Sequence, residues 1–517
     1  MHLIIIIIII IEISSMYEEY TFGLDRAIVF NGIGSFGNTL KELLIDGPCT
    51  YYFSLTTLLG LLPALTHLMI KLTYLGSIMD FEANESMNEE SRRNIRSDND
   101  DNSNNDEMYN LVFLSLHSED RRNTHIKQIV KRCPRLKYLL VSSTVLIENA
   151  ELSYVDFASI HKLCPSIHYV HWGEGTVTEN IEKEWLTLSR RERGYTDNEN
   201  TSNYRNREAT YLRRVRFCSE DEEQHLSILK SCLQQPSLLE HLRLSSWCDV
   251  CLHHLWNSFT RRICNLLSQF LQLKSLELVN FCIPHQTENN IFFENLFSHF
   301  QHIGRLRMKL LVTPLDNVDD ERNSISKLFE AIGHQLHHLK HLSIDLLTDN
   351  NFNTQMALPS NLFTALCDGN QELEVLHLDN VPISNDMLLD LCYHPKLRTL
   401  SFSGYDLHKN LTKDGWISFA RKLKEQEEYS NGRIWSILVS CSACDDVTDE
   451  VLEELAGVKS LNYLRVVGNK KITDAGINKF ASTNGSSSEE QRIIVVDLCD
   501  NVSLDNPHVE FLYSRDY

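Results

Sequence analysis

Apolar residues recur along the chain in a short pattern whose first, fourth and sixth positions are apolar. One clear copy is Leu461-Asn462-Tyr463-Leu464-Arg465-Val466. Because side chains alternate between the two faces of a strand, the fourth and sixth positions point to one face. The first position enters the same core from the preceding turn. The pattern therefore predicts a short strand with one buried face.

The same pattern is found about fifteen times along the chain. Its first position falls at Leu40, Leu65, Leu111, Leu136, Ile167, Leu212, Leu239, Leu273, Ile303, Leu339, Leu373, Leu397, Ile434, Leu461 and Ile493. Several neighbouring copies lie 24–27 residues apart, others lie 30–37 apart, and the two longest intervals are about 45. Repetition at such intervals is typical of a solenoid, in which each repeat buries its apolar side against its neighbours.

Between the strands the pattern changes to helical spacing. The segment Asp449–Ala456 opens with acidic residues, which favour a helix N-terminus, and Thr448 is suited to the N-cap. Val451, Leu452 and Leu455 then form one apolar stripe. Each unit is thus predicted to be a strand, a turn and a helix. The predicted fold class is α/β, a leucine-rich-repeat solenoid or horseshoe with a parallel concave sheet, convex helices and irregular repeats.

The predicted solenoid spans residues 36–510 and is interrupted by two insertions. The insertions, near 80–108 and 176–208, have few residues to bury, so we expect disordered loops. A regulated, phosphorylatable loop is the alternative. Residues 1–35 are predicted to be a low-complexity N-terminal segment of uncertain structure. Its apolar run Leu3–Ile11 is shorter than the ~20 residues needed to span a bilayer, and it lacks the basic region of a signal peptide.

Charge and cysteine usage narrow the class of protein. The 517 residues carry a net charge of −21, which argues against a protein that mainly grips nucleic acid or an anionic membrane. The 14 cysteines are not densely spaced, so we expect reduced thiols and a cytoplasmic or nuclear location. Two pairs, Cys248/Cys251 and Cys441/Cys444, have CxxC spacing. We interpret them as small residues at strand exits, with a zinc site as the alternative.

Several phrases resemble the cysteine-containing subclass of leucine-rich repeats. They are Cys133-Pro134-Arg135-Leu136, Cys164-Pro165-Ser166-Ile167, Val447-Thr448-Asp449 and Ile472-Thr473-Asp474. That subclass is best known from F-box proteins, which recognise substrates for cullin-type ubiquitin ligases. The resemblance, over residues 40–498, implies a substrate-binding subunit of an SCF-type E3 ligase that directs targets to ubiquitin-dependent degradation. A Skp-type adaptor and a cullin are implied as partners only if an F-box exists, and the residues before the first repeat do not match its L-P-x-E-I-L opening.

A candidate binding surface follows from the strand geometry. The third, fifth and seventh positions flank the buried ones and face outward from the concave sheet. The candidate partner-binding residues at these positions are Arg214, Arg216, His241, Arg243, Glu277, Arg305, Arg307, Lys309 and His377. Arginine suits carboxylate and phosphate groups, so we expect an acidic or phosphorylated protein substrate. The alternative is that exposed strand positions tolerate any polar residue.

The sequence predicts neither a catalytic site nor a cofactor or metal site. The loop Asn31–Gly37 contains GxGxxG, but Leu40–Asp46 after it fits the repeat pattern better than the helix of a dinucleotide site. Adjacent histidine pairs do not share a helix face and make poor metal sites. We therefore expect a binding protein rather than an enzyme, without nucleic-acid or membrane partners.

Two other functions stay open at this point. One is a non-ligase scaffold or regulator, of the ribonuclease-inhibitor or GTPase-regulator type. The other is an enzyme that uses the loop Gly32–Gly37. A copurifying cullin and adaptor would favour the ligase over the scaffold, and a retained nucleotide would favour the enzyme.

Overall fold

The structure is a computed structural model, and it describes only part of the chain. The described residues are 38–47, 55–72, 108–117, 126–143, 163–174 except 165, 214–219, parts of 226–246, 262–282 except 264, 293–312, 318–348, 361–404, 411–427, 435–440, 446–482 except 468, 493–497 and 509–510. Both predicted insertions, the low-complexity N-terminal segment, the GxGxxG loop and the two CxxC pairs lie outside the described residues, apart from a few residues at their edges. The predictions made for them stay predictions.

The chain divides into two units, Met1–Leu239 and Glu240–Tyr517. The strands of the N-terminal unit are β1 (Glu42–Gly47), β2 (His67–Leu72), β3 (Phe113–His117), β4 (Tyr138–Ser143), β5 (Tyr169–Glu174) and β6 (Arg214–Ser219). Those of the C-terminal unit are β7 (His241–Ser246), β8 (Ser275–Cys282), β9 (Arg305–Val312), β10 (His341–Thr348), β11 (Val375–Asp379), β12 (Thr399–Ser403), β13 (Trp435–Ser440), β14 (Leu461–Val467), β15 (Ile493–Asp497) and β16 (Val509–Glu510).

Besides helical segments that adjoin undescribed residues, such as 293–298, eight helices alternate with these strands in the described parts of the chain. They are α1 (Leu55–Leu61), α2 (Ile126–Lys131), α3 (Val318–Gln335), α4 (Asn361–Gly369), α5 (Asn385–Cys392), α6 (Lys413–Glu427), α7 (Asp449–Ala456) and α8 (Asp474–Ser482). Neighbouring helices pack on one another from α3 to α8. All fifteen predicted strands are present, and the predicted helix Asp449–Ala456 has the bounds of α7. The fold is a leucine-rich-repeat solenoid, as predicted.

Each unit contains a parallel sheet whose strands pair in the order of the chain. The repeat positions stay in register, so that Leu342 of β10 pairs with Leu306 of β9 and with Leu376 of β11. Leu342 and Ile344 have no exposed surface, and position-one Leu339 has none either. The three apolar positions of the pattern therefore form the core, as the alternation of strand side chains requires.

The recurring Thr-Asp phrase joins one repeat to the next. The Asp449 carboxylate, at the start of α7, accepts hydrogen bonds from the backbone N–H and the hydroxyl of Thr473 at 2.8 and 2.6 Å. Thr448 occupies the predicted N-cap position, but its side chain makes no capping hydrogen bond. Gly476 lies in the first turn of α8, where an added Cβ would overlap the Asp449 carboxylate. Glycine therefore makes room for the joint between these repeats.

An equivalent joint connects α5 to α6. The side chain of Asn385 accepts from the backbone N–H of Thr412 and donates to its hydroxyl, both at 3.0 Å. Gly415 lies against Asn385 as Gly476 lies against Asp449. The two joints use an amide in one case and a carboxylate in the other, so the position requires an acceptor rather than a charge.

The residues before the strands form a second set of joints. Cys133 and Cys164 are fully buried, and the Cys164 thiol donates to the carbonyl oxygen of Cys133 at 3.2 Å. Burial raises the pKa of the Cys133 thiol to about 12, so this group stays protonated. His394 takes the corresponding place before β12: its Nδ1 accepts from the N–H of Leu397 at 3.0 Å, and its Nε2 donates to the carbonyl oxygen of Asn370 at 2.7 Å.

Strand β1 tests the nucleotide-binding alternative for the start of the chain. A dinucleotide site needs a helix directly after its glycine loop. Residues Glu42–Gly47 instead form a strand that pairs in parallel with β2. This region is therefore the first described repeat, which agrees with the interpretation of Leu40–Asp46 as part of the repeat pattern.

Candidate binding surface on the outward strand face

The central outward surface of the C-terminal unit is built from side chains in a row across the strands. The strand register aligns the fifth repeat positions, one beside the next, as Arg243, Glu277, Arg307, Ser343, His377 and Ser401. Each lies between two core leucines or their equivalents, so each points away from the core. The row therefore presents polar groups on backbone that is fixed by the sheet.

One carboxylate in this row is shared by two arginines. Oε1 of Glu277 lies 3.5 Å from Nη1 of Arg243 and 3.1 Å from Nη1 of Arg307. The Glu277 side chain is 16% exposed, whereas those of Arg243 and Arg307 are 34% and 57% exposed. The carboxylate is thus held below the surface, and the guanidinium group of Arg307 reaches into solvent.

A second row, at the seventh positions, is closer to charge balance. Nζ of Lys309 lies 3.3 Å from Asp345, and the Asp345 carboxylate also accepts from the side-chain amide of Asn380 at 3.0 Å. Asp379 accepts a hydrogen bond from the hydroxyl of Ser403. Burial raises the pKa of the Asp379 carboxyl above its ordinary value, although the Ser403 hydrogen bond opposes this shift. The charge of Lys309 is therefore already paired with the carboxylate of Asp345.

Two histidines of the surface have lowered pKa values. Burial lowers the pKa of His377, the charge of Arg307 lowers it further, and Asp379 opposes the shift. Burial also lowers the pKa of His341, again helped by an arginine, Arg305. Both rings are therefore neutral at neutral pH and can donate one hydrogen bond each. They add polar contacts to the surface without adding charge.

The third positions bring further basic residues to the same face. Arg305 is exposed and lies in register between Ser275 of β8 and His341 of β10. It is two residues from Arg307, so both arginines project from the same side of β9. His241 lies at the third position of β7, two residues before Arg243. The C-terminal unit thus brings together seven of the nine predicted site residues.

The remaining two predicted site residues belong to the other unit. Arg214 and Arg216 lie on β6, in register with Tyr169 and His171 of β5. The register places them at the third and fifth positions of their repeat. Their membership of one patch with the arginines of β7 and β9 stays a prediction, since the two units are described separately.

The outward face of the N-terminal unit differs in a way that the sequence reasoning missed. Its third and fifth positions carry Met69, Phe113, Leu140 and Tyr169, which form an apolar cluster with 0–4% exposure. Tyr138 packs against this cluster, and its ring centroid lies 6.2 Å from that of Phe113. The signal was present in the sequence, because apolar residues occupy outward positions in four successive repeats.

Two further features bear on the kind of site that the chain can form. Among the described residues, no cluster of three or more His, Cys, Asp or Glu side chains is arranged to hold a metal ion. Within the same parts of the chain, every helix is too short or too polar to cross a membrane.

Comparisons with known proteins find similarity in structure but not in sequence. No family model matches the chain, and no curated protein matches it. An internalin from Listeria monocytogenes is 11% identical, with a TM-score of 0.33 and 93% of each chain covered. The yeast Rad7 and Elc1 complex gives 15% identity, a TM-score of 0.30, and coverage of 58% of this chain and 80% of the other. The Drosophila Toll–Spatzle complex gives 12% identity and a TM-score of 0.32, over 90% of this chain and 57% of the other.

Proposed function

We propose that the chain is a non-catalytic protein-recognition subunit that holds a partner on the outward face of its C-terminal sheet. The observation that carries this proposal is the row Arg243–Glu277–Arg307, in which two arginines share one carboxylate on three neighbouring strands. Because the strands fix the backbone, these side chains are presented in a preorganised arrangement. Preorganised groups lose less entropy on binding, which favours recognition.

The finer proposal is that this subunit selects substrates for an SCF-type ubiquitin ligase. The Cys-Pro and Thr-Asp phrases support it, because they resemble the repeats of F-box proteins. In this role the chain would hold a target near a separate catalytic assembly, and proximity would supply the rate advantage. A Skp-type adaptor and a cullin would be partners only if an F-box segment exists. The location would be cytoplasmic or nuclear, which fits the free, buried cysteines of the described repeats.

A non-ligase scaffold is the second candidate function. The described surface supports it equally, because the Arg243–Glu277–Arg307 row needs only a complementary partner. The two candidates differ in whether an adaptor and a cullin accompany the chain.

Affinity purification of the tagged full-length chain from its own cells, after mild cross-linking, tests these proposals. The ligase proposal predicts an adaptor and a cullin in stoichiometric amounts, together with substrates. The variant Arg243→Ala/Arg305→Ala/Arg307→Ala should keep the adaptor and the cullin but lose the substrates. Absence of both adaptor and cullin would leave the scaffold, and unchanged substrate capture by the triple variant would refute the proposed surface.

A further inference from the structure

On the described part of the C-terminal outward surface, one carboxylate is shared by two arginines. Arg243, Arg305 and Arg307 are presented on β7 and β9, and Glu277 on β8 is the carboxylate shared by two of them. Arg307 is the more exposed partner, with 57% of its side chain open to solvent. An additional anion can therefore approach the arginines from the solvent side.

The spacing of the row constrains the shape of such an anion. Arg243 and Arg307 lie on alternate strands, and strands are ~4.8 Å apart, so their backbones are separated by about 9.6 Å. In a polyproline II helix, every third residue points to the same side after about 9.3 Å. In a β-strand, residues separated by three point to opposite faces. A polyproline II segment that crosses the strands therefore matches the backbone repeat of the row. Both guanidinium groups contact Oε1 of Glu277, at 3.5 and 3.1 Å, so they reach this spacing only when they leave that carboxylate.

His377 extends this match by one more step. It lies on β11, two strands beyond Arg307 in the same row. Its ring is neutral at neutral pH because burial and Arg307 lower its pKa. A neutral imidazole can donate a hydrogen bond to a third acidic group at the same spacing.

We propose that the outward face of β7–β11 binds an acidic protein segment in polyproline II conformation, with a carboxylate at every third residue, and that Glu277 competes with this segment for Arg243 and Arg307. This inference rests on the proposed recognition function and specifies the chemical class of the partner. While no partner is bound, Glu277 forms ion pairs with both guanidinium groups. A carboxylate of the bound segment then replaces Glu277 in part of this pairing.

Carboxylates fit this surface better than phosphates. Asp345 and Asp379 line the neighbouring row, on β10 and β11. A phosphate group carries nearly two negative charges at neutral pH, whereas a carboxylate carries one. The arginines already pair with the single charge of the Glu277 carboxylate, so a carboxylate of the partner can replace that group without adding charge beside Asp345.

The test is direct binding of a fluorescein-labelled peptide of three Pro-Pro-Glu repeats to the full-length chain, measured by fluorescence anisotropy at low salt. The same composition with the three Glu residues adjacent is the geometric control. We expect the spaced peptide to bind more tightly than the control. Arg307→Gln should weaken its binding about five- to tenfold, the loss of one charge-assisted contact. Glu277→Gln should strengthen it about threefold or more, because a competing charge is removed.

Matched variants on the helix side control for net charge. Arg421→Gln removes an exposed arginine of α6 that pairs with Glu454, and Glu425→Gln removes an exposed acid of the same helix that pairs with Lys422. Both should leave the affinity unchanged. Circular dichroism of every variant checks that the fold is intact.

Three results would overturn the inference: no preference for the spaced peptide, an unchanged or weakened affinity of Glu277→Gln, or binding only when phosphoserine replaces Glu. The inference and the proposed function fail in different ways. If the peptide does not bind but partner capture still depends on the arginines, the recognition function stands and the acidic segment is wrong. If the peptide binds but the arginine variant still captures the same substrates, the proposed function is wrong and the anion site stands.

Discussion

The outward strand faces of the two units carry opposite kinds of side chain at the same repeat positions, buried and apolar in one unit, exposed and charged in the other. In the N-terminal unit these positions hold Phe113 and Leu140, which have no exposed surface. In the C-terminal unit the corresponding positions hold Arg305 and Arg307, which are exposed. The core positions of both units are filled by the same kinds of apolar residue. The repeat fold therefore fixes one face of each strand and leaves the chemistry of the other face to each region.

The largest difference between the two faces should appear in stability. Phe113→Ala should lower the free energy of unfolding by about 3–5 kcal/mol, because a fully buried ring is lost. Arg305→Ala, at the matching repeat position, should change it by about 0.5 kcal/mol or less. Urea unfolding of both variants, followed by circular dichroism, measures the contrast. A loss below about 1 kcal/mol for Phe113→Ala would show that the apolar cluster contributes little.

A glycine at a joint between repeats should be the next most sensitive position. Gly→Ala within a helix normally stabilises a protein. Gly476→Ala should instead lower the free energy of unfolding by about 1–3 kcal/mol, because the new Cβ would overlap the carboxylate of Asp449. Gly304→Ala is the matched control, since its Cβ would meet backbone atoms only at 3.9 and 4.0 Å. Equal effects of the two substitutions in thermal unfolding would contradict the steric account.

The hydrogen bond across the same joint should have a smaller effect. Thr473→Val keeps the size of the side chain but removes the hydroxyl that donates to Asp449 at 2.6 Å. We expect a loss of about 1–2 kcal/mol, since the acceptor is charged and partly buried. Thr473→Ser restores the donor and should recover most of the stability. If Val and Ser at this position unfold at the same urea concentration, the hydroxyl is not the stabilising group.

The smallest predicted effect is a dependence of stability on pH, which arises from His377 on the charged face. Burial and Arg307 lower the pKa of His377 in the folded chain, while an unfolded histidine titrates near pH 6.5. Below that pH the unfolded chain binds more protons than the folded one, so stability falls as the pH is lowered. Above that pH the histidine contributes no dependence. His377→Gln should therefore flatten the urea midpoint between about pH 5 and 6.5, and an unchanged slope would contradict the assignment.

The sequence was sufficient to predict which repeat positions are buried, because strand alternation is a local rule. Leu339, Leu342 and Ile344 could be assigned to the core from spacing alone, since strand alternation needs no knowledge of the partner strand. The outward arginines could be placed by the same rule. The sharing of Glu277 by two arginines could not, because an ion pair depends on side-chain conformations on three strands. The role of Asp449 was also hidden, since its partner Thr473 belongs to the next repeat.

The apolar outward cluster shows a different limit. Met69, Phe113 and Leu140 stand at positions that the repeat pattern assigns to the exposed face. A rule that equates outward with polar therefore fails for the N-terminal unit. Comparing the third and fifth positions of successive repeats would have revealed the apolar run, because the register places Phe113 beside Tyr138, and Met69 and Leu140 on either side of Ser115.

The joints between helices divide the end of the solenoid into pairs. Asn385 and Gly415 couple α5 to α6, and Asp449 and Gly476 couple α7 to α8. Between α6 and α7 lie exposed ion pairs such as Arg421–Glu454, which contribute less than the partly buried hydrogen bonds to the Asp449 carboxylate. Two repeats, rather than one, would then be the unit that opens cooperatively in hydrogen exchange. A doublet of repeats would also be the segment that can be duplicated, deleted or transplanted with its internal joint intact.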